Sequence, residues 1–300
     1  MIEVIGLDKR FDKLQALSAL DLHVKKGSLY GLVGVNGSGK TTALKHITGI
    51  LRGDAGTVRI DGAEVYENPE VKGRVSFIPD DLYFFNTYSL KSSAKFYSRI
   101  YKQWDWECYN GMLSHFKLDE KLKLSRFSKG MQKQAAFILA MSSTPDCLVL
   151  DEPIDGLDPL ARKLVWKYIV DGVADRSMTV LVSSHNLREM EGVCDSIGIL
   201  DKGSMVIERD LDELKSDIHK IQVAFPQEIP ENQRHEGLNV LHTERRGAVE
   251  LMIVRNPKEV AETLIKRHSP LIFDILPLTL EEIFIYEMGG TGHELNKILL

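Results

Sequence analysis

The chain has 300 residues, of which 43% are hydrophobic and 27% are charged, and its formal net charge is −5. Such a composition can bury a sizeable core, so the chain need not be disordered, and the acidic balance disfavours a dedicated nucleic-acid binder. We expect no secretory signal and no membrane span, because no basic segment leads into an apolar run and no stretch of about 18 apolar residues occurs. The widely spaced Cys108, Cys147 and Cys194 are expected to be free, buried thiols of a reducing cytosol.

Periodicity and turn signals predict a mixed α/β organisation. Short apolar runs predict strands at residues 29–33, 57–60, 75–78, 147–150, 180–182 and 197–200, with a hairpin to 205–207. The pattern is helical at 40–48 and again over about 90–143. The continuous runs at 147–150 and 180–182 are typical of central strands in a parallel sheet. Aromatic residues at helical spacing are interpreted as core: Phe96, Tyr97, Tyr101, Trp104 and Trp106.

The pattern changes after about Lys220, where prolines and a polar run indicate a loop. Strands are predicted at 221–225, 249–254 and 271–275, and helices at 257–268 and 279–288. We therefore expect a main domain over residues 1–218 and a small α+β accessory domain over 219–300. The last residues, 289–300, are expected to be loosely ordered.

A glycine-rich loop between the first strand and the first helix matches the pattern GxxxxGK[ST]. It consists of Gly34, Val35, Asn36, Gly37, Ser38, Gly39, Lys40, Thr41 and Thr42. Glycines allow main-chain N–H groups to approach triphosphate oxygens, and a helix N-terminus favours an anion. Lys40 supplies a positive charge for the β and γ phosphates, and the Thr41 hydroxyl can ligate Mg²⁺. This pattern alone predicts a nucleotide binder and does not separate kinases, GTPases and ABC ATPases, although the NKxD element typical of GTPases is missing from the sequence.

Polar residues end two of the predicted buried strands. Asp151 and Glu152 follow the strand at 147–150, where adjacent carboxylates are costly without a cation. Asp151 is predicted to hold Mg²⁺, and Glu152 to polarise the water that attacks the nucleotide. His185 ends the next apolar strand and is predicted to contact the γ-phosphate and this water. A lone histidine would more often be structural, and the acidic pair could be a simple polar turn, but together with the phosphate loop these residues indicate hydrolysis.

The segment Phe127-Ser128-Lys129-Gly130-Met131-Gln132-Lys133-Gln134 resembles the LSGGQ signature of ABC-type ATPases, in the form seen in antibiotic and multidrug exporters. The resemblance implies that Ser128, Lys129, Gly130 and Met131 meet the γ-phosphate bound by a second protomer. It further implies that residues 155–158, ending in Asp158, bridge two active sites, and that Phe11 stacks on adenine. The resemblance covers roughly residues 1–215.

As a member of this family, the chain is expected to be a P-loop NTPase ABC cassette. Such a cassette has a RecA-like core with a mixed sheet, a helical subdomain at about 87–145 and an antiparallel β subdomain. Three positions depart from the family pattern. Asp80 replaces the usual Gln after Ile-Pro and is predicted to ligate the metal, Asp155 stands where Ser or Thr is common, and Phe11 replaces the commoner Tyr.

The resemblance implies an ATP-hydrolysing subunit that uses ATP and Mg²⁺ and energises transport, in the export direction, by ATP-driven dimer closure. The expected partners are a second copy or a paralogous ATPase, together with integral membrane permease subunits on the cytoplasmic face of the membrane, and no nucleic acid. One alternative is a soluble ABC ATPase acting in protein or cluster assembly, and another is a regulatory cassette with little turnover. For the C-terminal domain we expect a dimer-related or regulatory role.

Overall fold

Buried parallel strands form the centre of the first of two units. Within residues 1–226 and 229–287, which the computed structural model describes, one unit comprises Met1–Asn186 with Val193–Glu208, and the other comprises Leu187–Gly192 with the chain from Arg209 onward. The strands of the first unit are β1 (Ile2–Phe11), β2 (Leu14–Val24), β3 (Leu29–Val33), β4 (Ala55–Ile60), β5 (Ala63–Glu64), β6 (Val75–Ile78), β7 (Cys147–Asp151), β8 (Thr179–Ser184), β9 (Ser196–Asp201) and β10 (Ser204–Asp210), whose last two residues belong to the second unit. Its helices are α1 (Lys40–Ile47), α2 (Pro69–Lys72), α3 (Leu90–Ile100), α4 (Trp106–Phe116), α5 (Lys129–Ser142) and α6 (Pro159–Arg176).

The larger sheet of this unit has the strand order β10-β9-β3-β8-β7-β6. From β9 to β6 its neighbouring strands are parallel, and every residue of β3, β7 and β8 is buried. The register pairs Val33 with Ser184 and Asp151 with Ser183. Because parallel strands end at a common edge of a sheet, the loops that follow β3, β6, β7 and β8 all begin at this edge.

A second sheet, ordered β2-β1-β4-β5, is antiparallel and shares one apolar core with α1 and the larger sheet. Strands β1 and β2 are not predicted from the sequence. Their pairing contains register shifts between Val4 and Leu7 and again before Lys9, so the alternation of apolar and polar residues is broken. Irregular strands of this kind lose the period of two by which a strand is recognised in a sequence.

The long helical stretch is divided into α3, α4 and α5, and the interpretation of its aromatic residues as core is wrong. Phe96 and Trp106 are exposed, and Tyr97, Tyr101 and Trp104 are only half-buried. They belong to a chain of ring contacts that runs across the surface of α3 and α4. Helical spacing identifies a common face, but the rest of the unit covers that face only in part.

The second unit has its own sheet and core. Its strands are β11 (Ile218–Ala224), β12 (Val240–Arg246), β13 (Val249–Arg255) and β14 (Ile272–Leu276), in the antiparallel order β12-β13-β11-β14. Its helices are α7 (Leu211–Asp217), α8 (Glu231–Arg234), α9 (Lys258–Lys266) and α10 (Leu280–Glu287). Apolar residues of β11, β13 and α9 form the core. The prediction of loose order concerns residues 289–300, which lie outside the described residues.

The second unit also includes a short segment from the middle of the chain. Residues Leu187–Gly192 belong to it and begin with a 3-10 turn at Leu187–Glu189, next to α10. Arg188 lies 3.0 Å from the Glu281 carboxylate of α10. The sequence predicts a domain boundary between residues 218 and 219, whereas the compact units divide between Glu208 and Arg209 and separate this segment from its neighbours.

All three cysteines are free, as predicted, and Cys147 and Cys194 are buried, while Cys108 is only half-buried. Burial disfavours the thiolate and raises the pKa of Cys147 to about 12. Burial also raises the pKa of Cys194 and that of Cys108. These thiols are therefore protonated at neutral pH and unreactive.

Candidate active site

The phosphate loop joins the end of β3 to the start of α1. Gly39 caps the helix in the left-handed region with φ 110°, and a Cβ there would lie 2.7 Å from the Ala16 carbonyl oxygen. Only glycine satisfies both conditions, so the main chain can approach a ligand closely. The Lys40 ammonium group is buried and donates to the Gly34 carbonyl oxygen at 2.6 Å. The loop therefore places main-chain N–H groups, a helix N-terminus and one lysine at the same point.

A group of oxygen atoms adjoins this loop. The Thr41 hydroxyl donates to Asp151 Oδ2 at 2.7 Å, and the Ser183 hydroxyl donates to Asp151 Oδ1 at 2.5 Å. Asp151 is buried, and each of its two carboxylate oxygens accepts one of these hydrogen bonds. Hydroxyl and carboxylate oxygens are the ligands that Mg²⁺ prefers, so Thr41 and Asp151, two of the three residues predicted to hold the metal, fit it chemically.

The Glu152 carboxylate contacts both Lys40 and His185. The carboxylate lies 3.4 Å from Lys40 Nζ through Oε1 and 3.0 Å from His185 Nδ1 through Oε2. The Glu152 main chain is left-handed, with φ 47°, which is uncommon for a residue with a side chain and costs about 1–3 kcal/mol. The carboxylates of Glu152 and Asp155 and the His185 ring offer atoms that all lie within 4.8 Å of one another. A proton acceptor is thus held beside the phosphate loop.

Nine of the nineteen predicted site residues line one cavity of the first unit. It is lined by Phe11, Leu14, Gln15, Ala16, Asn36, Gly37, Gly39, Lys40, Thr41, Thr42, Asp80 and Glu152. Phe11 is exposed at its rim, with Lys9 Nζ 5.4 Å from the ring centre. Asp80 lies in the same cavity, and its Oδ1 accepts from Lys133 at 2.9 Å.

The predicted signature residues lie outside this cavity. The Ser128 hydroxyl accepts from the Met131 amide at 3.2 Å and caps α5, and both Ser128 and Lys129 are exposed. A Cβ on Gly130 would lie 2.9 Å from the Gly156 carbonyl oxygen, so the signature packs against the loop at 155–158. Asp158 caps α6 through the amides of Leu160 and Ala161, at 2.9 and 3.0 Å.

Comparison with known proteins places this arrangement in a family. The ABC transporter family model matches residues 17–155. The chain is 34% identical over 290 residues to the ABC transporter ATP-binding protein YtrB of Bacillus subtilis, covering 97% of this chain and 99% of that protein. The chain is an ABC transporter ATP-binding subunit. This ATPase is also 30% identical to the Nod factor export ATP-binding protein I of Burkholderia lata, over 96% of this chain and 97% of that protein.

A solved ATP-binding subunit of an ABC transporter has a TM-score of 0.67 to this ATPase, with 27% identity, and the match covers 72% of this chain and 92% of that one. The predicted P-loop ABC cassette fold and the predicted ATPase activity are confirmed. The relatives are ABC transporter ATP-binding proteins, and the alternative of a soluble assembly ATPase is not favoured. Among the described residues, no helix is both long and apolar enough to cross a membrane.

Two residues of the ATPase site are missing from the sequence predictions. Ser183 bonds Asp151 and also accepts from the Glu152 amide, with Oγ at 3.2 Å. Its position at the carboxyl end of an apolar strand, two residues before His185, is the signal that could have identified it. Lys133 donates to Asp80 and to the Glu152 carbonyl oxygen at 2.7 Å. The sequence feature that could have identified Lys133 is its position next to the apolar run of α5.

Proposed function

We propose that this ATPase energises export through separate membrane permease subunits, and that it acts as a homodimer or with a paralogous ATPase on the cytoplasmic face of the membrane. The observation that carries the proposal is the division of phosphate-binding features within one chain. The cavity holds Lys40, Thr41 and Glu152, while the exposed N-terminus of α5 at Ser128 is a second anion-binding feature outside it. A second protomer can supply the missing half of each site.

Hydrolysis uses residues of this chain in distinct roles. Thr41 and Asp151 supply oxygen ligands for Mg²⁺, which when bound neutralises charge on the β and γ phosphates. Lys40 binds the same phosphates. Glu152 accepts a proton from the water whose oxygen attacks the γ-phosphorus, so that ATP and water give ADP and phosphate. His185, 3.0 Å from Glu152, orients this carboxylate and contacts the γ-phosphate.

Dimer closure would follow from the placement of the signature. With Ser128 capping α5, the main-chain N–H groups of Lys129 and Gly130 stand at the helix N-terminus, where an anion is favoured. The γ-phosphate bound by a second protomer is the expected anion. Because Gly130 packs against Gly156, a movement of the signature would also displace the loop at 155–158. This loop follows the base Glu152 by three residues in the sequence.

An exposed aromatic surface supports a membrane partner. Tyr83 is 83% exposed, and its ring contacts Phe85, which contacts Tyr88 and Phe96 at ring-centre distances of 4.9 and 6.0 Å. Clustered exposed aromatic rings mark protein–protein contact sites. This surface begins three residues after Asp80, so a permease segment bound there would lie next to the loop that lines the ATP cavity.

Replacing Tyr83 and Phe85 together with serine is expected to reduce recovery of the ATPase with its membrane fraction about tenfold or more, because the central aromatic residues of an interface carry much of its binding energy. ATPase activity of the purified protein should stay within about twofold, since neither ring lines the cavity. The matched control is Tyr66→Ser, an exposed tyrosine elsewhere in the same unit. Equal membrane recovery of the double variant and the control would reject this docking surface.

Replacing Asp80 with glutamine tests its predicted metal role. A lost carboxylate ligand should raise the Mg²⁺ concentration for half-maximal ATPase activity about tenfold, in keeping with the usual effect of losing a metal-supporting residue. The measurement is a Mg²⁺ titration of ATPase rate at saturating ATP. An unchanged titration curve would show that Asp80 has no part in holding the metal.

A further inference from the structure

Lys133 is a buried cation with two well-defined partners. It lies in the second turn of α5, and its side chain is only 3% exposed. An ammonium group in such a place is costly unless it is paired and hydrogen-bonded. Its contacts with Asp80 and Glu152 both go to the ATP site, whereas the apolar remainder of α5 packs into the core.

The two contacts connect neighbouring strands of the central sheet. Lys133 Nζ lies 2.9 Å from Asp80 Oδ1, just after the end of β6, and 2.7 Å from the carbonyl oxygen of Glu152, just after β7. Strands β6 and β7 are parallel neighbours, so their following loops leave the sheet side by side. One ammonium group therefore joins the loop of Asp80 to the main chain of Glu152.

The contact with Lys133 stabilises an unusual main-chain conformation at Glu152. Its left-handed conformation is strained, and strained residues persist when the surrounding contacts hold them. The Glu152 amide donates to the Ser183 carbonyl and hydroxyl oxygens, each at 3.2 Å, and the Glu152 carbonyl accepts from Lys133. Lys133 is thus a side-chain donor that holds the carboxyl side of this residue.

We propose that Lys133 is a positioning residue for ATP hydrolysis: through its bonds to Asp80 and to the Glu152 carbonyl, it fixes the direction in which the Glu152 carboxylate points. This inference rests on the proposed role of Glu152 as the base. Lys133 does not line the cavity and acts on the phosphates only through Glu152. Its charge also balances that of Asp80, which is 42% exposed and shares the cavity with the phosphate loop.

The test is steady-state ATPase kinetics at saturating Mg²⁺ for Lys133→Met and Lys133→Gln. Methionine keeps the volume but removes every donor, so kcat should fall about 10–100-fold while KM for ATP stays within about threefold, the pattern of a displaced catalytic group. Glutamine keeps N–H donors and should retain several-fold more activity than methionine. The control is Lys266→Met, which removes a more exposed ion pair with Glu262 at 2.8 Å and should leave kcat unchanged.

A second variant covers the case in which Lys133→Met does not fold. Asp80→Asn changes a half-exposed side chain and should lower kcat about threefold or more, with KM unchanged, because Lys133 loses its charged anchor. If both fold, the kcat of Asp80→Asn with Lys133→Met should stay within about twofold of Lys133→Met alone, since the two residues act through one contact. A double-variant effect equal to the product of the single effects would overturn the proposal.

Glu152→Gln, assayed in parallel, distinguishes failure of the positioning role of Lys133 from failure of the proposed base role of Glu152. If Glu152→Gln is inactive and the Lys133 and Asp80 variants keep wild-type kcat, only the positioning role is wrong. If Glu152→Gln is fully active, the proposed role of the base fails, and the inference about Lys133 fails with it.

Discussion

Replacing Glu152 with glutamine should lower the ATPase kcat about 10²–10⁴-fold, the range expected for loss of a general base. Glutamine has the same shape but cannot accept the proton of the attacking water. ATP binding should persist, because Lys40 and the main chain of the phosphate loop are untouched. The measurements are ATPase rate, nucleotide affinity and molecular mass in solution with ATP and Mg²⁺.

The Glu152→Gln protein should also accumulate as an ATP-loaded dimer, since closure would no longer be followed by hydrolysis. A monomeric protein with normal turnover would contradict both the base and the dimer. The matched control is Glu70→Gln, an exposed glutamate of α2, which should behave as the unmodified protein. Comparing the two separates loss of the base from loss of a surface charge.

Replacing Lys40 with alanine should weaken ATP binding about 10–100-fold. A hydrogen bond to a charged group contributes about 1.5–3 kcal/mol, and each 1.4 kcal/mol corresponds to a factor of about ten in affinity. The lost group is a buried ammonium that lies at the phosphate loop and 3.4 Å from the Glu152 carboxylate. Equilibrium binding of ATP, measured without turnover, checks this result.

Lys45→Ala is the control for that experiment. Lys45 lies further along the same helix and outside the cavity, so its loss tests the helix and not the phosphate contact. Both variants should unfold at similar temperatures. Equal ATP affinity in Lys40→Ala and Lys45→Ala would exclude the phosphate role of Lys40.

The phosphate loop and the acidic pair could be predicted because their chemistry is local in the sequence. Glycines at fixed spacing between a strand and a helix favour a phosphate-binding loop, and polar residues that directly follow buried apolar strands must meet at one edge of a parallel sheet. The structure places Lys40, Thr41, Asp151, Glu152 and His185 together at this edge. The order of strands is not needed for that prediction.

Other features depend on distant contacts and could not be predicted in the same way. Lys133 contacts residues 53 and 19 positions away, and nothing in its own segment identifies those partners. Helix α6 is not predicted from the sequence, because Leu160 and Val170 are exposed and obscure its apolar face. The aromatic rings of α3 show the reverse error, since a regular face does not show whether another part of the protein covers it.

The chain crosses between the two units more than once, and this affects whether the C-terminal unit can be exchanged between cassettes. The polypeptide passes from the first unit to the second after Asn186, returns at Val193 and leaves again after Glu208. A single cut near residue 208 would therefore leave the segment Leu187–Gly192 in the wrong half, without the Glu281 partner of Arg188. Three crossings make the C-terminal unit a poor module for simple exchange between cassettes. The first crossing, between Asn186 and Leu187, comes directly after the segment that holds His185.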